Sequence, residues 1–416
     1  PPVAPTAGIA TCRACGAGLG HTFVDLGMPP LSGRYLRADE LHRTVPCSPL
    51  HVRVCTTCLL VQVPPPANAA PGGADASYSS ACASTLERAR AYTDKAIEEL
   101  RLSSKHLVIE IGSNDGYLLQ YFVARGVPVL GIDLAANVAR VADARGVPTR
   151  VERFTEPTAS ALRDGGVQAD LLIGNNVLEK VHDVNDFVAA LKRLLSPRGV
   201  VTLDFPHLLP LVAETRFDAI RHERLSYFSL LAVTRLLAAN GLTIYDVDEV
   251  DAHGGSLRVF ACHSEDPLRP ITPRIVALTA RERAASVESP AYYAGFAQRV
   301  SDAKRALLAF LLEAKRGGKH IAGYGAHTKG NALLNYCGIC TDFIDYTVDP
   351  DPEKHGRYLP GSQIPIHPPE VIEQTHPDYV LILPWHRQTE IVARLEGIRA
   401  WGGRCVVPLP TLRMVA

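Results

Sequence analysis

The sequence predicts an α/β protein in three parts: a small cysteine-rich module over residues 1–75, a doubly wound central domain over 76–268 and a Rossmann-like domain over 269–416. Three observations carry this reading. Two Cys-x-x-Cys pairs stand near the start, a series of short apolar runs from Val108 each end in polar residues before a helical stretch, and a second such series begins at His320. Alternating strands and helices predict largely parallel sheets with helices on both faces.

At 416 residues the chain is long enough for two or three domains, and 47% hydrophobic residues supply their cores. Lys plus Arg equals Asp plus Glu at 43 each, so no global field attracts a nucleic acid polymer or an anionic membrane. No run approaches the ~18 apolar residues of a membrane span, and the Pro-rich start lacks a signal-peptide pattern. The expectation is a cytoplasmic protein, monomeric or a small homo-oligomer, that recognises a small molecule. In a reducing compartment, its 10 cysteines point to metal or packing rather than disulfides.

Cys12-Arg13-Ala14-Cys15 and Cys55-Thr56-Thr57-Cys58 are two knuckles that together offer four thiolates to one Zn²⁺. With no ligand position left for water, this metal is structural. Cys47 and His42 lie between the knuckles as possible substitutes without the paired spacing. The Pro/Ala/Gly-rich run from Val63 to Gly73 reads as a linker, and Thr85 to Leu102 has helical periodicity.

In the central domain, Val108 to Ile111 is an apolar strand containing Glu110, followed by the turn Gly112-Ser113-Asn114-Asp115-Gly116 and an apolar helix start. Such a junction presents backbone N–H groups to a ligand over the strand end. It is neither the dinucleotide Gly-x-Gly-x-x-Gly nor a P-loop. Val129 to Asp133 ends in an acid suited to ribose hydroxyls, and Asp170 to Ile173 leads into Asn175 and Asn176. Three ordered strand ends of these types fit S-adenosyl-L-methionine better than NAD or ATP, with Glu110, Gly112, Asn114, Asp115, Gly116, Asp133, Asn175 and Asn176 as its contacts. An amphipathic helix from Val184 to Leu195, stopped by Ser196-Pro197-Arg198-Gly199, precedes the strand Val200 to Phe205. Ligands bind at the carboxyl ends of such strands, so Gly112, Asp133, Asn175 and His207 should face one crevice.

Arg221-His222-Glu223-Arg224-Leu225-Ser226-Tyr227 then places His, Glu and Tyr within a few residues, the types used for proton transfer near neutral pH. The glycines after His253, Gly254 and Gly255, would let the backbone approach either a ligand or a neighbouring strand. A domain boundary falls near 268, and Tyr292 to Lys315 is helical. Beyond it, Gly323-Tyr324-Gly325 precedes a helix carrying Lys329, a cradle for phosphate oxygens, and further strands run through Asp349 and from Tyr379 to Leu383. Cys337 and Cys340 have no partner knuckle and read as packing.

Taken together, the two knuckles, Glu110 to Gly116, Asn175-Asn176-Val177-Leu178, Pro206-His207-Leu208-Leu209, His253-Gly254-Gly255-Ser256-Leu257-Arg258, Gly323-Tyr324-Gly325-Ala326 with Lys329-Gly330-Asn331, and Ile382-Leu383-Pro384-Trp385 resemble the S-adenosylmethionine-dependent C-methyltransferases of deoxysugar biosynthesis. The resemblance spans essentially the whole chain. It implies a zinc-binding N-terminal module, a central methyl-donor domain and a C-terminal domain that helps to hold a nucleotide-sugar, with His207, His253, Gly325, Lys329 and Asp349 on the substrate side. The implied chemistry is removal of the proton beside a ketone and attack of the enolate carbon on the donor methyl.

The departures fall where that proton should move. The family pattern Tyr-His-Glu-His is here Arg221-His222-Glu223-Arg224, and the His expected two residues after Leu178 is Lys180. Ser77 and Ala81 stand where the family has tyrosines. Arginine stays protonated and cannot act as a base, which leaves His222, Glu223, Tyr227 and Lys180 as proton handlers. Three positions turned to Lys or Arg suggest a site rebuilt for an anion. Two alternatives remain at this stage: a donor-binding protein that catalyses a step other than methyl transfer, and a non-catalytic zinc-knuckle binding protein.

Overall fold

The computed structural model describes residues 11–31, 35–63, 77–251 and 254–415. Most of the expected linker, from 64 to 73, and the candidate ligand His253 lie outside the described residues. Among those described, no helix is long and apolar enough to cross a membrane.

The central sheet has seven strands, in the spatial order Leu242–Val250, Ser256–His263, Leu195–Pro206, Ala169–Asn175, Val108–Ile111, Val129–Asp133, Thr149–Val151. The last five are mutually parallel, while Ser256–His263 runs antiparallel to both its neighbours. All four residues of Val108–Ile111 are buried, as expected for a central parallel strand covered on both faces. From this strand the chain steps outward through Val129–Asp133 to Thr149–Val151, then returns on the other side at Ala169–Asn175. The reversal places the ligand crevice of a doubly wound sheet between the ends of Val108–Ile111 and Ala169–Asn175.

Two local expectations change. The helix Val184–Leu194, capped by Asp183, passes directly into the strand Leu195–Pro206, so Ser196-Pro197-Arg198-Gly199 is strand and not a turn. The register slips between Ala169 and Leu171 on the partner strand, which accommodates a proline with no N–H to donate. The Pro- and Arg-rich stretch after residue 268 contains a helix, Pro273–Ala284, ahead of the long helix Pro290–Arg316.

The N-terminal sheet contains a strand from far along the chain. His21–Asp25, His51–Val54 and Val61–Gln62 are joined by Ser226–Tyr227, with Val61 opposite Tyr227 and Gln62 opposite Ser226. Phe23 of this sheet stacks on Phe296 of Pro290–Arg316, with ring centroids 4.4 Å apart. The cysteine-rich module is thus built into both other parts of the molecule.

The C-terminal sheet has six strands in the order Ile366–His367, Tyr346–Val348, Ile321–Tyr324, Tyr379–Ile382, Arg404–Val407, Arg413–Val415, all parallel except the last. Its switch point lies beside Ile321–Tyr324, where the helix Thr328–Cys337 begins. Trp385 Nε1 donates to Asp218 Oδ2 at 2.9 Å and Arg221 Nη1 to Thr328 Oγ1 at 2.9 Å, so this end faces the central domain.

Candidate active site and structural metal centre

The sulfur atoms of Cys12, Cys15, Cys55 and Cys58 all lie within 4.8 Å of one another. Cys12 to Cys58 and Cys15 to Cys55 are each 3.5 Å apart, close to the roughly 3.8 Å edge of a tetrahedron with Zn–S bonds near 2.3 Å. Gln62 donates to Cys12 Sγ at 3.1 Å, and its carbonyl accepts from Arg13 N at 3.0 Å. That second contact orients a donor toward thiolate charge, which fits Zn²⁺ bound by four sulfurs with no open position. Cys47 is exposed and His42 is no part of the cluster.

At the donor end, Gly112 has φ of +73°, and a Cβ there would sit 2.7 Å from Val177 Cγ2. Glycine is required because the first loop folds tightly against the third. Asp133 accepts from Asn114 N and Ala135 N, both at 2.9 Å, which fixes its carboxylate at the strand end. Asn176 and Asn114 both adopt positive φ, 53° and 50°, a strained conformation that asparagine tolerates and that recurs at ligand loops. Glu110 is fully buried, and its carboxyl oxygens have no partner beyond the nearby Tyr117 hydroxyl; Asn175 Oδ1 is unpartnered. Orphaned acceptors at a switch point fit the ammonium of an amino-acid-containing donor, so S-adenosylmethionine would be held by Glu110, Asn175 and Asp133.

Three of the expected donor contacts also make contacts within the protein. Asn114 Oδ1 accepts from Ser79 N at 2.8 Å and Asp115 Oδ2 accepts from Ser80 N at 3.3 Å. Arg145 lies 3.1 Å from the same Asp115 oxygen. These side chains clamp the Ser77–Ala81 turn over the loop, while Asp115 Oδ1 is buried without a partner. Gly116 meets Val147 and Ala142 and so serves helix packing.

On the acceptor side, several candidates are engaged by partners within the protein. His222 is buried, with Nε2 3.0 Å from Ser48 O. Tyr227 is a buried strand residue whose hydroxyl accepts from Arg221 N at 2.9 Å, and burial pushes its phenol up to about 12. His207 Nε2 pairs with Glu282 Oε1 at 2.8 Å, and Glu282 also caps the helix Leu230–Ala239 through Leu230 N and Leu231 N. Asp349 accepts from Ala326 N at 2.7 Å and Lys354 Nζ at 3.1 Å, bracing the Gly-x-Gly loop. Gly325 is needed because a Cβ would lie 2.6 Å from Pro384 Cδ, a contact within the protein and not with a ligand.

What remains is a cluster of cations. Arg224 is buried beside Arg221 and Glu179. Lys180 lies at the exposed edge of this group; desolvation by the surrounding protein lowers its ammonium from the usual value, Arg224 and Arg221 add to that shift and Glu179 opposes it. Glu223 is exposed at the rim of the cluster. From the C-terminal domain comes Lys329, which burial lowers to about 8 against the countering charge of Asp218; Arg224, Arg216 and Arg221 push the same way as burial. His327 is held down to about 4 and His386 to about 3, chiefly by burial, so both are neutral at ordinary pH. At Gly254 a Cβ would lie 2.5 Å from Arg216 Nη1 and 3.8 Å from Lys329 Nζ, so the backbone there closes on these two cations. Gly255 instead packs on Pro210. A cavity of about 540 Å³ opens beside Arg216 and Gly254, lined also by Trp385, His386 and the carboxylates Glu214, Glu249 and Asp251, the first of which pairs with Arg216.

Residues 12–70 match a family described as a zinc-binding domain, residues 80–247 a methyltransferase domain, and residues 251–410 the C-methyltransferase C-terminal domain. The C-methyltransferase NovU of Streptomyces niveus is 33% identical over 408 residues, covering 97% of this chain and 96% of its own. The chain belongs to this C-methyltransferase family.

A ubiquinone biosynthesis O-methyltransferase of Bartonella bacilliformis is 30% identical over 95 residues, 23% of this chain and 38% of that protein. Among solved structures, magnesium protoporphyrin IX methyltransferase from Synechocystis PCC 6803 is similar at a TM-score of 0.33 and 16% identity, covering 44% of this chain and 79% of that one. The C-methyltransferase is an S-adenosylmethionine-dependent enzyme with a zinc-binding domain. Family membership favours methyl transfer over the other two readings.

Sequence reasoning missed Glu179, Arg216, Asp218, Glu282, His327 and His386. Glu179 directly follows Asn175-Asn176-Val177-Leu178, and His327 directly follows Gly323-Tyr324-Gly325-Ala326. Asp218 and Glu282 stand in stretches with no motif, and only their burial marks them.

The donor end yields a test. Burial raises Glu110 well above the usual carboxylate range, with Tyr117 opposing the shift. The folded protein therefore keeps this proton to higher pH than the unfolded chain, and the donor-free enzyme should lose stability as pH rises from the unfolded carboxylate value through the folded one. Glu110→Gln should remove that loss, stabilising the donor-free enzyme by about 1–3 kcal/mol at neutral pH while weakening donor binding. Thermal melting across pH, with calorimetry of S-adenosylhomocysteine, checks both halves. An unstabilised variant that binds the donor normally would show that Glu110 does not face the ammonium.

Proposed function

We propose that the C-methyltransferase alkylates the carbon beside a ketone in an anionic small molecule, a nucleotide-linked keto-sugar or a related sugar acid of natural-product biosynthesis. The observation that carries this reading is the group Lys180, Arg221, Arg224, Lys329 and Arg216, which joins the donor strand ends to the C-terminal Gly-x-Gly helix. The helix Thr328–Cys337 presents N-terminal N–H groups and Lys329 to phosphate oxygens. Arg221 and Arg224 add forked donors nearer the methyl-donor side. S-adenosylmethionine supplies an electrophilic methyl group; the chain's own residues bind the anion, exclude water and hold the acceptor carbon in line.

Incubation with methyl-labelled donor and a panel of nucleotide-linked keto-sugars and sugar acids, read by mass spectrometry, tests the proposal. Labelled product from a member of the panel is expected, and donor binding with no transfer to any member would overturn it. Arg224→His, which restores the family residue, should weaken the natural ligand by about 10–100-fold, the loss of one charge-assisted contact worth about 1.5–3 kcal/mol. Unchanged ligand affinity in a titration of that variant would refute the anion role.

A further inference from the structure

The acceptor side has lost the tyrosine and histidines of the family pattern, yet enolisation still needs a group that takes a proton. The candidate that geometry supplies is Glu179, in the turn Leu178–Lys180 at the carboxyl end of Ala169–Asn175, shortly after the donor-side Asn175 and Asn176. Its side chain is 1% exposed, and neither carboxyl oxygen has a hydrogen-bond partner. Its backbone carbonyl accepts from Leu225 N at 2.7 Å, which locks the turn against the Arg221–Tyr227 segment. Arg221 Nε and Arg224 Nε, on that segment, are buried without partners too. Opposite charges are thus brought together in the protein interior, within electrostatic reach of each other, with no hydrogen bond between them. A buried carboxylate and a buried guanidinium in this state are costly unless a third group bridges them.

We infer that Glu179 is the catalytic base of this enzyme, and that Arg224, with Arg221 and Lys180, stabilises the enolate oxygen of the same substrate. The inference rests on the keto-substrate reading above. Glu179 accepts the proton on the carbon beside the ketone. As that C–H bond breaks, its electron pair forms the C=C bond and the carbonyl oxygen becomes the enolate oxygen facing the cations. The enolate carbon then bonds to the donor methyl as the methyl–sulfur bond breaks, S-adenosylhomocysteine leaves, and Glu179 returns its proton to solvent. The division of labour is physically consistent: arginines cannot take the proton, but they are suited to the negative oxygen that its removal creates. The groups facing Glu179 are Lys180 on its own turn, Arg224 on the next segment and Asp204 on the adjoining strand. Burial outweighs the two cations and raises the carboxyl above its ordinary range, toward the pH at which a base both accepts and releases a proton.

The test uses full-length, zinc-loaded enzyme and a nucleotide-linked 4-keto-6-deoxyhexose in D₂O with S-adenosylhomocysteine bound, so that proton exchange beside the ketone is read by NMR without methyl transfer. Wild type should exchange the proton and, with the donor, methylate the probe. Glu179→Gln should bind donor and probe within about threefold of wild type yet lose exchange and methyl transfer together by about 100-fold or more, within the range of general-base contributions. Glu179→Asp should restore part of both, with the acid limb of its pH profile displaced from that of wild type. Wild-type activity with exchange intact in Glu179→Gln would overturn the assignment and leave the keto-substrate reading standing. Absence of exchange and transfer in wild type, across keto-sugars differing in nucleotide and oxidation, would overturn both.

Discussion

Removing zinc from the intact protein should abolish methyl transfer while leaving donor affinity within about threefold, although the metal lies in a separate sheet from the donor loops. A structural four-cysteine Zn²⁺ site contributes on the order of 10–16 kcal/mol of binding free energy to folding, as much as the whole stability of an ordinary domain. Without it, the loops that carry the two knuckles lose the link that ties the strand His51–Val54 to the chain start. The consequence reaches the acceptor side because Ser226–Tyr227 is the fourth strand of that sheet. Val63 N donates to Leu225 O at 2.9 Å and His222 contacts Ser48 O at 3.0 Å, so the segment carrying Arg221 and Arg224 is held from the zinc side. The donor loops instead depend on the register of Val108–Ile111 with its neighbours in the central sheet. Chelator dialysis with metal analysis, limited proteolysis, donor calorimetry and a methylation assay would separate the two effects, with Cys55→Ser as the covalent counterpart. Full activity in metal-free protein would mean that the module does not position the acceptor segment.

Lys329→Met should both weaken the anionic substrate and destabilise the fold, and a second substitution should separate these losses. Lys329 shares a buried pocket with Asp218, which is 1% exposed and whose Oδ1 has no hydrogen-bond partner. Burial raises the Asp218 carboxyl, while Lys329, Trp385 and Arg216 favour its charged form. Removing the lysine leaves that carboxylate with only Arg216 and the Trp385 hydrogen bond in its support, a loss that costs at most about 3–5 kcal/mol, the range for breaking a buried pair. Lys329→Met with Asp218→Asn should recover most of the stability in denaturant unfolding, because no buried charge is left alone. Substrate affinity should stay low in the double variant, since the cation at the Gly-x-Gly helix is still missing. With Lys329 lowered to about 8, wild-type affinity should also fall as pH rises through that value and the amine loses its charge. Recovery of substrate binding along with stability would mean that Lys329 only balances Asp218.

The sequence by itself determined the zinc set, the donor sheet and the presence of a second nucleotide-type domain, because these follow from short-range patterns. Knuckle spacing constrains where thiolates point, and alternating strands and helices with polar strand ends constrain where ligands lie. Even the replacement of the acceptor bases by Lys180, Arg221 and Arg224 was legible as a change of charge. Tertiary structure decided which polar residues are free to act. His222, Tyr227, His207 and Asp349 looked chemical in the chain, yet each is engaged by a backbone or carboxylate partner, distant in sequence for all but Tyr227. Glu179 looked like an ordinary acid beside a motif, and only its burial without a partner distinguishes it. Local sequence encodes strand and turn preferences through a few neighbouring residues, but desolvation and hydrogen-bond satisfaction depend on which distant segments close over a side chain.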